Sequence, residues 1–305
     1  MDSRIAAAIW ADRSAGLEGS IFICQTFKSL TFKLQDLSRE DIVGIGSLRS
    51  VLWLSFFGAI LVAWWWLYAM AMTMDLDLIG RPGPMGQAMA AMDPRMDMYM
   101  PMAEFWPLFW MWAIMMAAMM LPTMVPTLRA YEDLMVSATG TRAGWLGLLA
   151  GYSIAWGAFA ALITGVQLTL LFSGVVDMLG IARSPYVAGG LLLAVGAFQF
   201  TRAKQVCHGV CHSPMTYFLG NWRTGAAGGL RMGLGLGAFC VGCCWGFMAL
   251  GFVGGVMSLL WMGLATLFMV VEKLPQIGHY VVKPMGIALI IGGLAVIAVP
   301  TVMGG

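Results

Sequence analysis

Apolar positions run in long stretches along this chain, and polar residues gather in the segments between them. A helix rises about 1.5 Å per residue, so roughly twenty apolar residues cross about 30 Å of hydrocarbon. By that measure crossings are predicted near 50–72, 105–128, 144–172, 185–201, 230–253, 256–272 and 284–303. The apolar stretch 230–271 is too long for one crossing, and Gly254 and Gly255 mark where it divides. Residues 144–172 exceed one crossing and imply tilt or extension beyond the bilayer. The predicted fold is all-α, a polytopic membrane helical bundle of about seven transmembrane helices spanning 50–305 as one domain. No internal repeat complicates that reading. Pro107, Pro122 and Pro126 fall in the second predicted crossing, where a missing donor bends a helix.

Composition agrees with the pattern. Hydrophobic residues make up 60% of the chain and charged residues 10%, against about 25% charged in soluble domains; mean hydropathy is +0.82. The lipid bilayer is thus the first expected partner. A formal net charge of +2 points to no nucleic acid. With the N-terminus cytoplasmic, 14 of the 17 lysines and arginines fall on the inner side, leaving Arg81, Arg95 and Arg183 outside. Basic residues are retained inside, so this orientation is preferred, with the C-terminus outside. It makes 73–104 an extracytoplasmic loop and puts Cys207 and Cys211 near the cytoplasmic face.

Residues 1–49 carry six acidic and six basic side chains and no secretory leader pattern. They read as an N-terminal cytoplasmic or interfacial segment, with an interfacial helix around "FKLQDLSREDIVGIGSL". Trp64, Trp65, Trp66 and Tyr68 suit an aromatic belt at the outer interface. Gly233, Gly235 and Gly237 suit close helix approach. Glu272, Lys273 and His279 fall at a predicted cytoplasmic boundary, where charged side chains snorkel.

Sulfur changes the picture. Sixteen of the chain's 27 methionines lie between residues 70 and 124. Thioethers are soft, neutral ligands that suit Cu(I) and bind hard ions poorly. Met96, Met98, Met100 and Met102 therefore form a candidate copper-contacting run in the outer loop, with Asp93, Asp97 and Glu104 nearby either to assist a cation or simply solvated. Met111, Met115 and Met119 recur at four-residue spacing beside a second row of Met116, Met120 and Met124. That stripe suits a thioether passage, or ordinary lipid-facing and helix-packing residues.

The cysteines form two motifs. Cys207 and Cys211 interleave with His208 and His212 in "KQVCHGVCHSP", and Cys240, Cys243 and Cys244 stand in "FCVGCCWGFM". On helices, positions three or four apart share a face, so each set is a patch of donors. Cys240 falls about 15 Å of helix beyond Arg231, near mid-membrane. A lone buried cysteine packs as a small hydrophobe, whereas three together ask for a ligand. Disulfides between such neighbours need side-chain directions that a regular helix does not supply. Zinc accepts mixed Cys and His ligands and is the alternative ion; the methionines favour copper. Cys24 stands alone and is set aside.

The stretch "TRAKQVCHGVCHSPMTYFLGNWRTGAAGGLRMGLGLGAFCVGCCWGFMALGFVGGVMSLLWM", preceded by "WMWAIMMAAMMLPTMVP" and followed by "EK", resembles a bacterial family of predicted metal-binding integral membrane proteins, named for a domain of unknown function. The resemblance covers roughly 50–275. It implies metal binding linked to copper, with Cys207, Cys211, Cys240, Cys243 and Cys244 as candidate ligands, in a multi-pass protein of the bacterial inner (cytoplasmic) membrane. Two departures stand out: Leu236-Gly237 occupies the place of an expected His-Gly pair, for which His208 and His212 would compensate, and residues 1–49 read as an extension.

The resulting expectation is copper handling, meaning Cu(I) capture, transfer or delivery to a metallochaperone or copper-enzyme partner. A membrane dithiol oxidoreductase and a metal-free structural subunit are the alternatives. No Gly-rich nucleotide loop and no Ser/His/acid arrangement is visible, so no catalytic residue is assigned.

Overall fold

A computed structural model describes residues 39–81, 83–84, 103–274 and 277–303. Met96, Met98, Met100 and Met102 lie outside the described residues, as do residues 1–38 with Cys24. The chain divides into two compact units, residues 1–59 and 60–305. In the first, the described residues belong to helix α1, Arg39–Thr73, which continues into the second.

The second unit then holds α2 (Phe105–Met120), a 3-10 turn (Pro122–Met124), α3 (Val125–Ser137), α4 (Arg142–Phe172) and α5 (Pro185–Phe198). Beyond these come α6 (Arg202–His212), α7 (Pro214–Asn221), α8 (Gly225–Ala249), the short α9 (Gly251–Gly254), α10 (Leu259–Glu272) and α11 (Gly278–Met303). The described residues contain no β-strand, only an isolated bridge between Val176 and Ala182. The fold class is all-α, as expected.

Five helical segments are long and apolar enough to cross a membrane: Leu48–Thr73, Phe105–Met135, Arg142–Phe172, Gly225–Gly254 and Tyr280–Ala298. The crossings expected at 185–201 and 256–272 correspond instead to α5 and α10, of 14 residues each. At 1.5 Å per residue each spans about 21 Å, less than the hydrocarbon thickness. The apolar run does divide where the glycines stand. Gly255 takes φ +94°, in the left-handed region that a side chain would disfavour, and Ser258 then caps α10 by accepting from Trp261 N at 3.3 Å.

Glycine packs the core pair. Helices α4 and α8 run parallel, and their glycines bring backbone against backbone: a Cβ at Gly229 would collide with Gly144 O, one at Gly233 with Leu148 O, and one at Gly151 with Leu230 O. Gly237 lies on the same seam, against Tyr152 and Ala155, while Gly235 faces Tyr217 of α7. Trp112 of α2 locks onto α4 by donating to Gln167 Oε1 at 2.7 Å.

The methionine rows take the packing role. Met111, Met115, Met116, Met119, Met120 and Met124 are between 1 and 3% exposed, so they fill the protein interior rather than face lipid. Of the three prolines, Pro122 and Pro126 mark the interruption after α2, whereas Pro107 sits in the first turn of α2, where the helix has no donor to lose. Trp65, Trp66 and Tyr68 are exposed, in keeping with a belt, and Trp64 donates to Ala118 O at 3.0 Å.

Candidate metal centre

Helix α8 carries Cys240, Cys243 and Cys244 on one face because they stand three and four residues apart. All three are buried, and Cys211, in the last turn of α6, joins them. The sulfurs of Cys211, Cys240 and Cys243 all lie within 4.8 Å of one another, with Cys243 Sγ 3.8 Å from Cys211 Sγ. None is in a disulfide. An ion bonded to three sulfurs at about 2.3 Å in a plane holds them about 4 Å apart, so the trio is near the spacing a metal imposes.

Cys244 is different. Its sulfur lies 3.2 Å from that of Cys243, which at the same bond length would close the angle at one ion to about 90°. It is a neighbour of the trio. Cys207 is half-buried against Gly242, one turn earlier on α6. The histidines turn elsewhere: His208 Nε2 lies 3.0 Å from Glu272 O, and His212 stacks on His208 at 5.3 Å with its Nδ1 buried near Gly278. The structure thus gathers three of the predicted thiols and leaves both imidazoles on the α10 and α11 side.

Around the trio stand polar groups that the sequence reading did not select. Lys273 is not at a snorkelling boundary: it is 6% exposed and donates to Cys240 Sγ at 3.0 Å and to Thr123 Oγ1 at 2.8 Å. Tyr152 of α4 places its hydroxyl 3.1 Å from Cys240 Sγ. Glu272, 2% exposed, forms an ion pair with Lys204 of α6, and Lys204 Nζ donates to Cys243 O at 2.8 Å. This corrects the interfacial placement of Glu272 and Lys273. The physical reason is that α10 ends beside α6 and α8, so Glu272 meets Lys204 and Lys273 meets the Cys240 thiol, not water. An ionisable residue closing an apolar helix was the available signal.

Burial opposes the charge on Lys204, but the Glu272 carboxylate, with Cys244 and Cys243 behind it, holds its pKa above the ordinary lysine value. Burial pushes the His208 pKa below the usual imidazole value, despite the Glu272 carbonyl and carboxylate. His208 Nε2 is thus placed as a hydrogen-bonding partner of the Glu272 carbonyl.

Removing one partner of a buried ion pair leaves the other uncompensated, at a cost of about 3–5 kcal/mol. Lys204→Met is therefore expected to destabilise the protein by about that much, and Lys204→Met with Glu272→Gln to recover most of it. Thermal denaturation in detergent measures both; equal losses in the single and double variants would contradict the pairing.

A pocket of about 100 Å³ opens between α2 and α4, lined by Met116, Met120, Tyr152 and Trp156 among others. Tyr152 belongs to both this pocket and the thiol cluster.

The fold and site together define a polytopic helical protein with a buried soft-ligand cluster. Residues 109–296 match the family model described as PpoB2, copper chaperone, and the chain belongs to that family. Neither a curated protein nor a solved structure matches the chain.

Proposed function

We propose that this protein accepts Cu(I) within the membrane and delivers it to a copper-requiring partner, holding it in transit on Cys211, Cys240 and Cys243. The observation that carries the reading is three buried thiol sulfurs, from two helices, within reach of one ion. The family match supports copper as the cargo. Thiolates are soft donors that suit Cu(I), and the low-coordinate trio fits it better than it fits a four-ligand zinc site, since the imidazoles point away.

The arrangement in the membrane is part of the proposal. With the N-terminus cytoplasmic in a bacterial inner membrane, α5 and α10 complete seven crossings as partial helices, and the segment 73–104 faces the periplasm. Met96, Met98, Met100 and Met102 then make the first contact with incoming copper. Met116 and Met120, beside Tyr152, line an intermediate position toward Cys240.

Protein purified with reductant and loaded with copper is expected to hold about one Cu(I) per chain in an all-sulfur environment by X-ray absorption. Changing Met96, Met98, Met100 and Met102 to Leu should leave that stoichiometry intact while shifting cellular copper loading to higher external copper. Absence of bound Cu(I) in the wild type would overturn the function; an unchanged dose response would remove only the loop's role.

A further inference from the structure

The thiol trio brings sulfurs of two helices face to face. Cys243 Sγ of α8 lies 3.8 Å from Cys211 Sγ of α6. A disulfide holds its sulfurs about 2.05 Å apart, so side-chain rotation that closes the gap by under about 2 Å joins them.

The other pairings in the cluster are disfavoured. Cys243 and Cys244 have sulfurs 3.2 Å apart but are adjacent on α8. Adjacent helix positions do not face each other, which puts the torsion a disulfide requires out of reach. Cys240 and Cys243 share α8 at three-residue spacing, which sets their Cβ atoms about 5–6 Å apart where a disulfide needs about 3.5–4.5 Å. Cys211 with Cys240 would also join two helices, but Cys240 Sγ is held between the Tyr152 hydroxyl at 3.1 Å and Lys273 Nζ at 3.0 Å. The polar contacts of Cys243 Sγ are the Cys240 carbonyl and two other thiols. Access favours the same pair: Cys211 is 8% exposed, against 1 to 2% for the three thiols of α8, so an incoming reagent meets Cys211 first.

We propose that Cys211 and Cys243 form a reversible cross-helix disulfide site, at which oxidation and metal binding exclude each other. The oxidant is a small disulfide, R-S-S-R, acting by thiol-disulfide exchange. In the first step the Cys211 sulfur bonds to one sulfur of the oxidant, the oxidant's S-S bond breaks, and one R-SH leaves with the proton of Cys211. In the second the Cys243 sulfur bonds to the Cys211 sulfur, the mixed disulfide breaks, and another R-SH leaves with the proton of Cys243. Two protein thiols are oxidised and one small disulfide is reduced to two thiols. Of the trio only Cys240 then keeps a free sulfur, too few donors to hold the ion. A bound soft ion in turn occupies both sulfurs and shields them. The exclusion rests on the metal trio proposed above, whereas the disulfide rests on the sulfur geometry alone.

The test uses purified full-length protein in detergent, reduced and then freed of reductant and metal. It is incubated with bis(2-hydroxyethyl) disulfide, remaining thiols are blocked with iodoacetamide, and peptides are mapped by mass spectrometry. The expected result is a Cys211 to Cys243 crosslink in most chains, reversed by dithiothreitol, with Cu(I) affinity lowered at least about ten-fold until it is reversed. Protein loaded with Cu(I) beforehand is expected to form the crosslink at least about ten-fold more slowly. Cys243→Ser should abolish the crosslink and Cys244→Ser should retain it; the wild-type peptide map decides the pairing should either variant fail to fold. Absence of a crosslink, a mixed disulfide that stays on Cys211, or a crosslink from Cys211 to Cys240 overturns the assignment. Equal rates with and without Cu(I), in protein that binds Cu(I) when reduced, overturn the exclusion. A crosslink that forms in protein unable to bind Cu(I) when reduced overturns the copper reading and leaves the disulfide standing, which separates the two.

Discussion

Replacing Cys240 and Cys243 together by Ser is expected to lower Cu(I) affinity by at least about 100-fold, equivalent to about 2.7 kcal/mol. These two residues stand on one helix face, and both sulfurs lie within reach of Cys211. A hydroxyl is a hard, weakly acidic donor and a poor substitute for thiolate toward a soft ion. Cys211→Ser should cost less, because two sulfurs still hold the ion. Cys244→Ser and Cys207→Ser should cost little: one sulfur stands too near its neighbour to share the ion, and the other lies against Gly242 outside the trio. Competition against a Cu(I) chelator gives this ranking directly. A double variant with wild-type affinity would mean that the trio is not the site, and a large effect of Cys207→Ser would relocate it toward the exposed end of α6.

A substitution remote from sulfur should disturb folding through the helix seam alone. Gly233→Leu places a branched side chain where even a Cβ would collide with Leu148 O. The obstacle is main chain, which cannot rotate away as a flexible side chain does, so α4 and α8 must separate. Overpacking in a tight core costs about 1–3 kcal/mol and occasionally more, and the upper end is expected here because Gly229 and Gly151 make the same kind of contact along the seam. Gly157 and Gly165 are the controls: both lie in α4 with open space around their Cβ positions. Ala at either should be neutral or stabilising by up to about 1 kcal/mol, as expected for glycine in a helix interior. Melting in detergent and the yield of folded protein give the comparison; a Gly233→Leu protein as stable as Gly157→Ala would refute the packing argument.

Much of this architecture was legible in the amino-acid pattern, for local reasons. Apolar run length located the helices, and the glycine pair at 254 and 255 marked the break that Gly255 makes with its positive φ. The spacing of Cys240, Cys243 and Cys244 alone puts three thiols on one helix face. What run length does not encode is depth. Helices α5 and α10 read as full crossings because the flanking apolar residues count toward a window, although each has only 14 helical residues. The same blindness to depth put Glu272 and Lys273 at an interface. Their partners Lys204, Thr123 and Cys240 come from other elements far along the chain, and such pairing leaves no local trace. The surroundings of the histidines were not legible for a related reason: a helical repeat says that His208 and His212 share a side of α6, but only the position of α10 decides that this side meets Glu272. Whether the methionine rows face lipid or core is decided by the packing of α4 against α2, which spacing along one helix does not encode.

The sulfur donors are mounted on elements of unequal stiffness. Cys240 and Cys243 ride on a 25-residue helix clamped to its neighbour along a glycine seam, whereas Cys211 ends an 11-residue helix tied down through Lys204 and His208. Of the three, Cys211 therefore rests on the shortest support. For the carrier role proposed above, a donor on a short support beside two on a clamped helix would reconcile tight binding with release: an acceptor's thiol would take the place of Cys211, and the ion would change hands without ever being bare.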